Sequence, residues 1–177
     1  MLPPRPSPSG PLDASINEGD LEELWAQQMM VPVEGMLRKS LRDNFEAKRT
    51  GKIHGALDIH AARSTPVVAA ADHIIGRLME GPIGGIVIYA TDPDMRFTYY
   101  YAHLERYRRG LAVGDRIAKG SLIGYVGTTG NAPKNAPHLH FQVMKRGSGA
   151  WWDGPAINPL PFFASDGLRP KAPTSTK

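Results

Sequence analysis

The chain contains no cysteine among its 177 residues. Without thiols it can form no disulfide, iron–sulfur cluster or thiolate zinc site, and it has no cysteine nucleophile. Any metal ion must therefore be held by histidine, aspartate or glutamate. No run approaches the roughly 18 apolar residues of a membrane-spanning helix, so we expect no membrane span in this chain. A hydrophobic fraction of 41% still suffices for one folded core.

The chain also has little net charge and no secretory signal at its start. Residues 1–6 lack the apolar run that such a signal needs. The 21 Lys and Arg exceed the 17 Asp and Glu by only four. This charge gives a weak preference for anionic partners, and we expect no nucleic-acid partner.

Proline is concentrated at the two ends, with five of 16 residues in 3–11 and five in 155–173. Helical spacing of apolar residues and an acidic start predict a helix between them. The helix could dock on the basic domain, which carries 17 basic and 11 acidic residues; alternatively, its charges are simply a solvated face. The expected units are a proline-rich linker (1–16), an acidic helix (17–30), a folded domain (31–163) and a disordered tail (164–177).

Beyond Pro32, short β-rich runs alternate with glycine turns, which predicts a mostly β fold. Closely spaced short strands favour an antiparallel sandwich or barrel. Within this domain, a helix is favoured only over residues 35–47. The predicted strands are Thr65–Ala71, Ile74–Leu78, Gly85–Ala90, Phe97–His103, Ser121–Val126 and Leu139–Met144.

All six histidines fall between positions 54 and 140, and two pairs suggest metal ligands. His54 and Asp58 are four residues apart, and both side chains suit a borderline divalent metal. His138 and His140 would face the same side of a strand, because side chains alternate. Each pair alone is weak evidence for a metal site, since such spacings also arise by chance or between surface residues.

A third pattern places Tyr99, Tyr101 and His103 on one face under the same alternation, although aromatic packing in a core is the simpler explanation. Together, one carboxylate and two imidazoles match the three protein ligands of a catalytic zinc. Zinc lowers the pKa of a bound water, and further histidines could transfer its proton. We expect His60 near this site or at the surface, and His73 in a surface loop.

Four motifs follow one another along the chain: AKRTGKIHGALDIHAA (47–62), TYYYAHL (98–104), VGDRIAKGSLIGYVGTTGNA (113–132) and APHLHFQV (136–143). In this order they resemble the lysostaphin-like (LytM-type) zinc metalloendopeptidases of bacterial peptidoglycan. The resemblance covers about 130 of the 177 residues. It implies an antiparallel β core of barrel-sandwich hybrid type with a narrow groove.

The resemblance also implies roles for individual residues. His54, Asp58 and His140 would bind one Zn²⁺ per chain. His103 and His138 would be the catalytic histidines, although the sequence leaves open which is the general base. Tyr99 and Tyr101 are candidates for the groove walls, and Asn131 for the groove rim.

The implied activity is hydrolysis of amide bonds in peptidoglycan stem-peptide cross-links through a metal-bound water. One alternative is a non-catalytic wall module that regulates another wall hydrolase, and a second is an iron oxygenase with two histidines and one carboxylate. We expect a periplasmic, extracellular or cell-wall location, with the signal or anchor missing from this chain. The N-terminal segment could contact its own domain and inhibit it.

Overall fold

The computed structural model describes residues 1–8, 10–49 and 51–166, so most of the predicted tail lies outside the described residues. None of the helices described is long and apolar enough to cross a membrane. Within these residues, one α-helix, α1, spans Glu18–Ala26, and 3₁₀ turns span Arg38–Ser40 and Leu160–Phe162. The strands are β1 (Lys48–Arg49), β2 (Lys52–Ile53), β3 (Leu57–His60), β4 (Pro66–Val68), β5 (His73–Gly81), β6 (Gly85–Thr91), β7 (Phe97–Tyr107), β8 (Arg116–Ile117), β9 (Leu122–Val126), β10 (His138–Lys145) and β11 (Ala156–Ile157).

Strands β3 to β11 form one antiparallel sheet. Its main path runs β11–β10–β7–β6–β5–β8, while β3 pairs with β10, and β9 pairs with β4 and β7. Each of the six predicted β-rich runs contains a strand. The prediction of a mostly antiparallel β fold with an N-terminal helix is confirmed, and the barrel-sandwich designation stays a prediction.

Strand β10 shows why the sheet has two unlike faces. Leu139, Phe141 and Val143 are fully buried in the core. Because side chains alternate along a strand, His138, His140 and Gln142 project from the other face. The same strand therefore supplies part of the core and part of a polar site.

Helix α1 covers the core with the apolar stripe expected from the sequence. Asn17 and Asp20 form a capping box that starts the helix, and each satisfies a backbone N–H of the other. The stripe packs into the main core, and its buried members are Leu21, Leu24, Trp25 and, just beyond the helix, Met29.

Charged contacts also fix the helix on the domain. The buried carboxylate of Asp20 accepts hydrogen bonds from Arg96 (3.1 Å) and Lys145 (2.8 Å). Lys119 donates to the carbonyls of Gln27 and Gln28 at the helix C-terminus, where a cation is favoured. Among the described residues, no hydrogen bond or ion pair joins this helix to the five-residue site predicted from the sequence.

The helix predicted over residues 35–47 is wrong. The structure has only the 3₁₀ turn Arg38–Ser40 there. Short polar side chains in this segment bind the backbone elsewhere, which competes with a helix. Asp43 accepts from the backbone N–H of Phe45, and the amide of Asn44 pairs with the backbone of Asp58.

His73 is buried in the core, so its predicted place in a surface loop is also wrong. Its Nδ1 contacts the carbonyl of Asp72 (3.1 Å), and its Nε2 contacts the hydroxyl of Tyr101 (2.6 Å). The same hydroxyl accepts from the backbone N–H of Ala70 (3.0 Å). The buried polar atoms of His73 and Tyr101 therefore have hydrogen-bond partners within the protein.

Candidate metal centre and active site

The sheet register brings together two residues that are 82 positions apart in the sequence. Asp58 on β3 and His140 on β10 are direct cross-strand partners. His54 enters from the turn before β3, where its backbone N–H donates to Ala47 (2.9 Å). Gly55 follows with φ of 68°, which glycine adopts without strain. This turn directs the imidazole of His54 toward Asp58.

The three side chains converge on one point. The Nε2 atom of His54 lies 3.1 Å from Oδ1 of Asp58 and 3.2 Å from Nδ1 of His140. The Nδ1 atom of His140 lies 3.1 Å from the same carboxylate oxygen. Among the described residues, this trio is the group of histidine and acidic side chains whose ligand atoms lie close enough to share a metal ion.

Main-chain carbonyls fix the tautomers of three histidines. A carbonyl can only accept, so each Nδ1 carries the proton and each Nε2 is left as an acceptor. The contacts join His54 to Asn44 (3.1 Å), His103 to Thr129 (2.9 Å) and His138 to Ala136 (3.0 Å). Three acceptor nitrogens therefore face the same small space.

This donor set fits a cation. With its proton on Nδ1, His54 presents the lone pair of Nε2 to the Asp58 carboxylate 3.1 Å away, and a positive charge between these two atoms would stabilise both. The Nε2 atom of His138 is also buried without a hydrogen-bond partner in the described structure, 3.8 Å from Oδ1 of Asp58. Two imidazoles and one carboxylate are ligands that zinc accepts.

The charge state of the site also favours metal binding. Burial alone would raise the pKa of Asp58, but the neighbouring imidazoles of His140 and His54 hold it well below its usual range. Burial lowers the pKa of the nearby His103 to about 4. Near neutral pH, Asp58 is therefore ionised and His103 is neutral, so each has a free electron pair.

Two residues that we did not identify from the sequence hold Asp58 in place. Arg49 pairs with Oδ2 of Asp58, which leaves Oδ1 directed at the two histidines. The side chain of Asn44 accepts from the backbone N–H of Asp58 (3.1 Å) and donates to its carbonyl (3.2 Å). No spacing of residues in the sequence indicates either interaction, because both depend on how residues 43–49 fold back onto β3.

The predicted groove walls Tyr99 and Tyr101 are wrong, since both side chains are fully buried in the core. The alternation that grouped them with His103 breaks at His103 itself, which has φ of 60°. This left-handed conformation turns the histidine to the opposite face. Tyr100 lies there instead, with its ring 5.8 Å from that of His140.

The other candidate residues lie around this centre. The ring of His138 is 5.0 Å from that of His103 and 5.2 Å from that of His60, which is exposed. Asn131 is exposed two residues after Thr129, and its place at a groove rim stays a prediction. A cavity of about 620 Å³ borders Asp58 and is lined by Met36, Ser40, Leu41, Arg42, Asp43, Asn44, Ile59 and His60.

The candidate site is thus a His–Asp–His donor set, suited to a metal ion, on an antiparallel sheet. The family is given by sequence: the model of Peptidase family M23 matches residues 52–159. The chain belongs to this family. Asn44 and Arg49 precede the matched region, although they contact the candidate ligand Asp58.

Known relatives agree with this assignment. The chain is 32% identical over 130 residues to glycyl-glycine endopeptidase ALE-1 of Staphylococcus capitis, which covers 71% of this chain and 33% of that protein. It is 30% identical over 115 residues to peptidoglycan DD-endopeptidase ShyC of Vibrio cholerae, covering 62% and 25%. The chain thus spans about a third or less of the curated relatives that it matches.

The fold also matches solved structures. The catalytic domain of lysostaphin from Staphylococcus simulans aligns with a TM-score of 0.57 and 27% identity, over 80% of this chain and 95% of that domain. The match supports the earlier resemblance to lysostaphin-like peptidases.

Proposed function

We propose that this chain is a zinc-dependent endopeptidase that hydrolyses amide bonds in peptidoglycan stem-peptide cross-links, at a periplasmic, extracellular or cell-wall location. The observation that carries the proposal is the convergence of three candidate ligand atoms within 3.2 Å of one another, beside two further histidines. Membership of a peptidase family and relatives named as peptidoglycan endopeptidases support the same activity.

In this proposal His54, Asp58 and His140 hold the metal. Bound zinc would supply Lewis acidity and make a coordinated water a usable nucleophile near neutral pH. The candidate ligand atoms of the three residues converge on one point, and Arg49 occupies the second oxygen of Asp58. That arrangement favours a carboxylate that uses one oxygen for the metal.

His103 and His138 would handle the protons of the reaction. Each has Nδ1–H committed to a main-chain carbonyl and Nε2 free. A neutral imidazole can accept a proton from the attacking water, and a protonated one can stabilise the oxyanion that develops on the scissile carbonyl. Which of the two is the general base stays open.

The test combines metal binding with wall digestion. Stripped protein reloaded with zinc should bind about one ion per chain and release soluble muropeptides from purified sacculi. The variants Asp58→Ala and His140→Ala should lose both properties. Asp94→Ala, which removes an exposed carboxylate from the β6–β7 turn, is the matched control and should keep both.

Two results would contradict the proposal. Equal digestion by Asp58→Ala would remove the metal assignment. A wild-type protein that binds zinc but releases no muropeptides would instead favour a non-catalytic wall module.

A further inference from the structure

A row of polar and aromatic side chains crosses the sheet beside the candidate metal centre. Arg77 on β5 pairs directly with Tyr89 on β6, Tyr89 with Tyr100 on β7, and Tyr100 with Gln142 on β10. Directly paired residues share a face of the sheet. Gln142 lies two residues along β10 from His140, so the row lies on the same face as His140.

Aromatic rings connect the metal centre to the outer end of this row. The ring centroids of His140 and Tyr100 are 5.8 Å apart, those of Tyr100 and Tyr89 are 4.6 Å apart, and those of Tyr89 and Trp152 are 6.0 Å apart. We call this run of rings from His140 through Tyr100 and Tyr89 to Trp152 the strip. It ends at Trp152, which is 50% exposed. At about 3.3 Å per residue, its length matches at most about five residues of an extended peptide.

The outer end of the strip carries two guanidinium groups. Arg77 lies 5.4 Å from the ring centroid of Trp152, and Arg146 lies 4.4 Å from that of Trp151. Within the described part of the chain, neither forms an ion pair with a carboxylate. Asp153, the carboxylate of this loop, accepts from the backbone N–H of Ala150 (2.7 Å). The positive charge here is therefore not matched by the protein.

We propose that this strip binds a peptide that carries a carboxylate, with Arg77 as the carboxylate-binding residue and the exposed Trp152 as the apolar surface beside it. The inference rests on the proposed function and selects among its substrates. Acidic stem peptides offer a carboxylate to Arg77, whereas a bridge made only of glycine offers none. A guanidinium suits this role because its planar N–H groups match the two oxygens of a carboxylate.

The test measures binding separately from cleavage. The zinc-loaded full chain is titrated with a linear stem peptide whose γ-linked glutamate has a free α-carboxylate, and with the same peptide as its carboxamide. Mass spectrometry verifies that each peptide stays intact. We expect the acid to bind roughly 10- to 100-fold more tightly than the amide, as for a hydrogen bond to a charged group.

Variants assign this preference to the strip. Arg77→Gln should weaken binding of the acid to the level of the amide, and Arg77→Lys should restore part of the preference. Trp152→Ala should weaken both peptides by a similar factor. Arg109→Gln removes an equal charge from an exposed turn and should change neither.

Equal binding of acid and amide by the wild type would overturn the inference. A preference that survives in Arg77→Gln would also overturn it, since the carboxylate would then bind elsewhere, for example at the metal. Failure of the proposed function is distinguishable, because intact sacculi would remain undigested whatever the peptides show.

Discussion

The two faces of strands β7 and β10 differ in how completely their buried polar atoms are paired. On the core face, the hydroxyl of Tyr101 contacts both His73 and the backbone of Ala70. On the site face, Nε2 of His138 is buried without a partner among the described residues, and Nε2 of His54 lies 3.1 Å from Oδ1 of Asp58 and 3.2 Å from Nδ1 of His140. Strand alternation thus separates a face whose buried polar atoms are paired within the protein from one whose histidine nitrogens can bind a ligand.

Of the substitutions that test this difference between the two faces, one on the site face should have the largest effect, and that effect is on catalysis. His103→Asn should lower the rate of muropeptide release by about 10²- to 10⁴-fold, because it removes a proton-transfer group. Asparagine is chosen because it tolerates the positive φ at this position better than most residues. Zinc stoichiometry, measured on the same sample, should stay at the wild-type value. Loss of zinc in this variant would place His103 among the ligands.

A substitution of Arg49 tests whether metal affinity at the site face depends on the residues that orient the ligands. Arg49→Gln should lower zinc affinity by about 10- to 100-fold, because the carboxylate of Asp58 loses the partner that orients it. Competition with a chromophoric chelator measures the affinity. Lys48→Gln removes the neighbouring exposed cation and is the control. Equal affinities in the two variants would contradict an orienting role.

Adjacent tyrosines on β7 compare the two faces directly. Tyr101→Phe should lower the free energy of unfolding by about 1–3 kcal/mol, because it leaves buried atoms of His73 and Ala70 without a partner. Tyr100→Phe, on the site face, should change it by less than about 0.5 kcal/mol. Chemical denaturation measures both. A larger loss for Tyr100→Phe would reverse the contrast.

The last expected effect is on how stability depends on pH. Burial lowers the pKa of His73 to about 3, whereas a histidine in an unfolded chain titrates near 6.5. Between these values only the unfolded chain binds the proton, so this contribution to stability is complete above about pH 6.5 and is lost as the pH falls toward 3.

The expected slope from this group is about 1.4 kcal/mol per pH unit below pH 6. His73→Gln should show a correspondingly shallower decline between about pH 6 and 5 in denaturant titrations. Parallel declines in wild type and variant would show that His73 titrates normally.

Much of this architecture follows from local sequence signals, and the exceptions have identifiable causes. Glycine turns and alternating apolar residues predicted the six strand-bearing runs. The facing of Tyr99 and Tyr101 could not be predicted, because one left-handed residue at His103 reverses the alternation. Asn44 and Arg49 could not be found either, since their contacts with Asp58 arise only when residues 43–49 fold onto β3.

The carbonyls that hold His54, His103 and His138 have a consequence for mutational robustness. Their acceptors belong to the backbone of Asn44, Thr129 and Ala136, so substituting those side chains leaves the acceptor atoms in place. The proton therefore stays on Nδ1 of each histidine even in a variant that loses another contact of these side chains, such as the bonds from Asn44 to the backbone of Asp58. The backbone conformation therefore sets the tautomers of these three histidines, and they change only when the backbone itself moves.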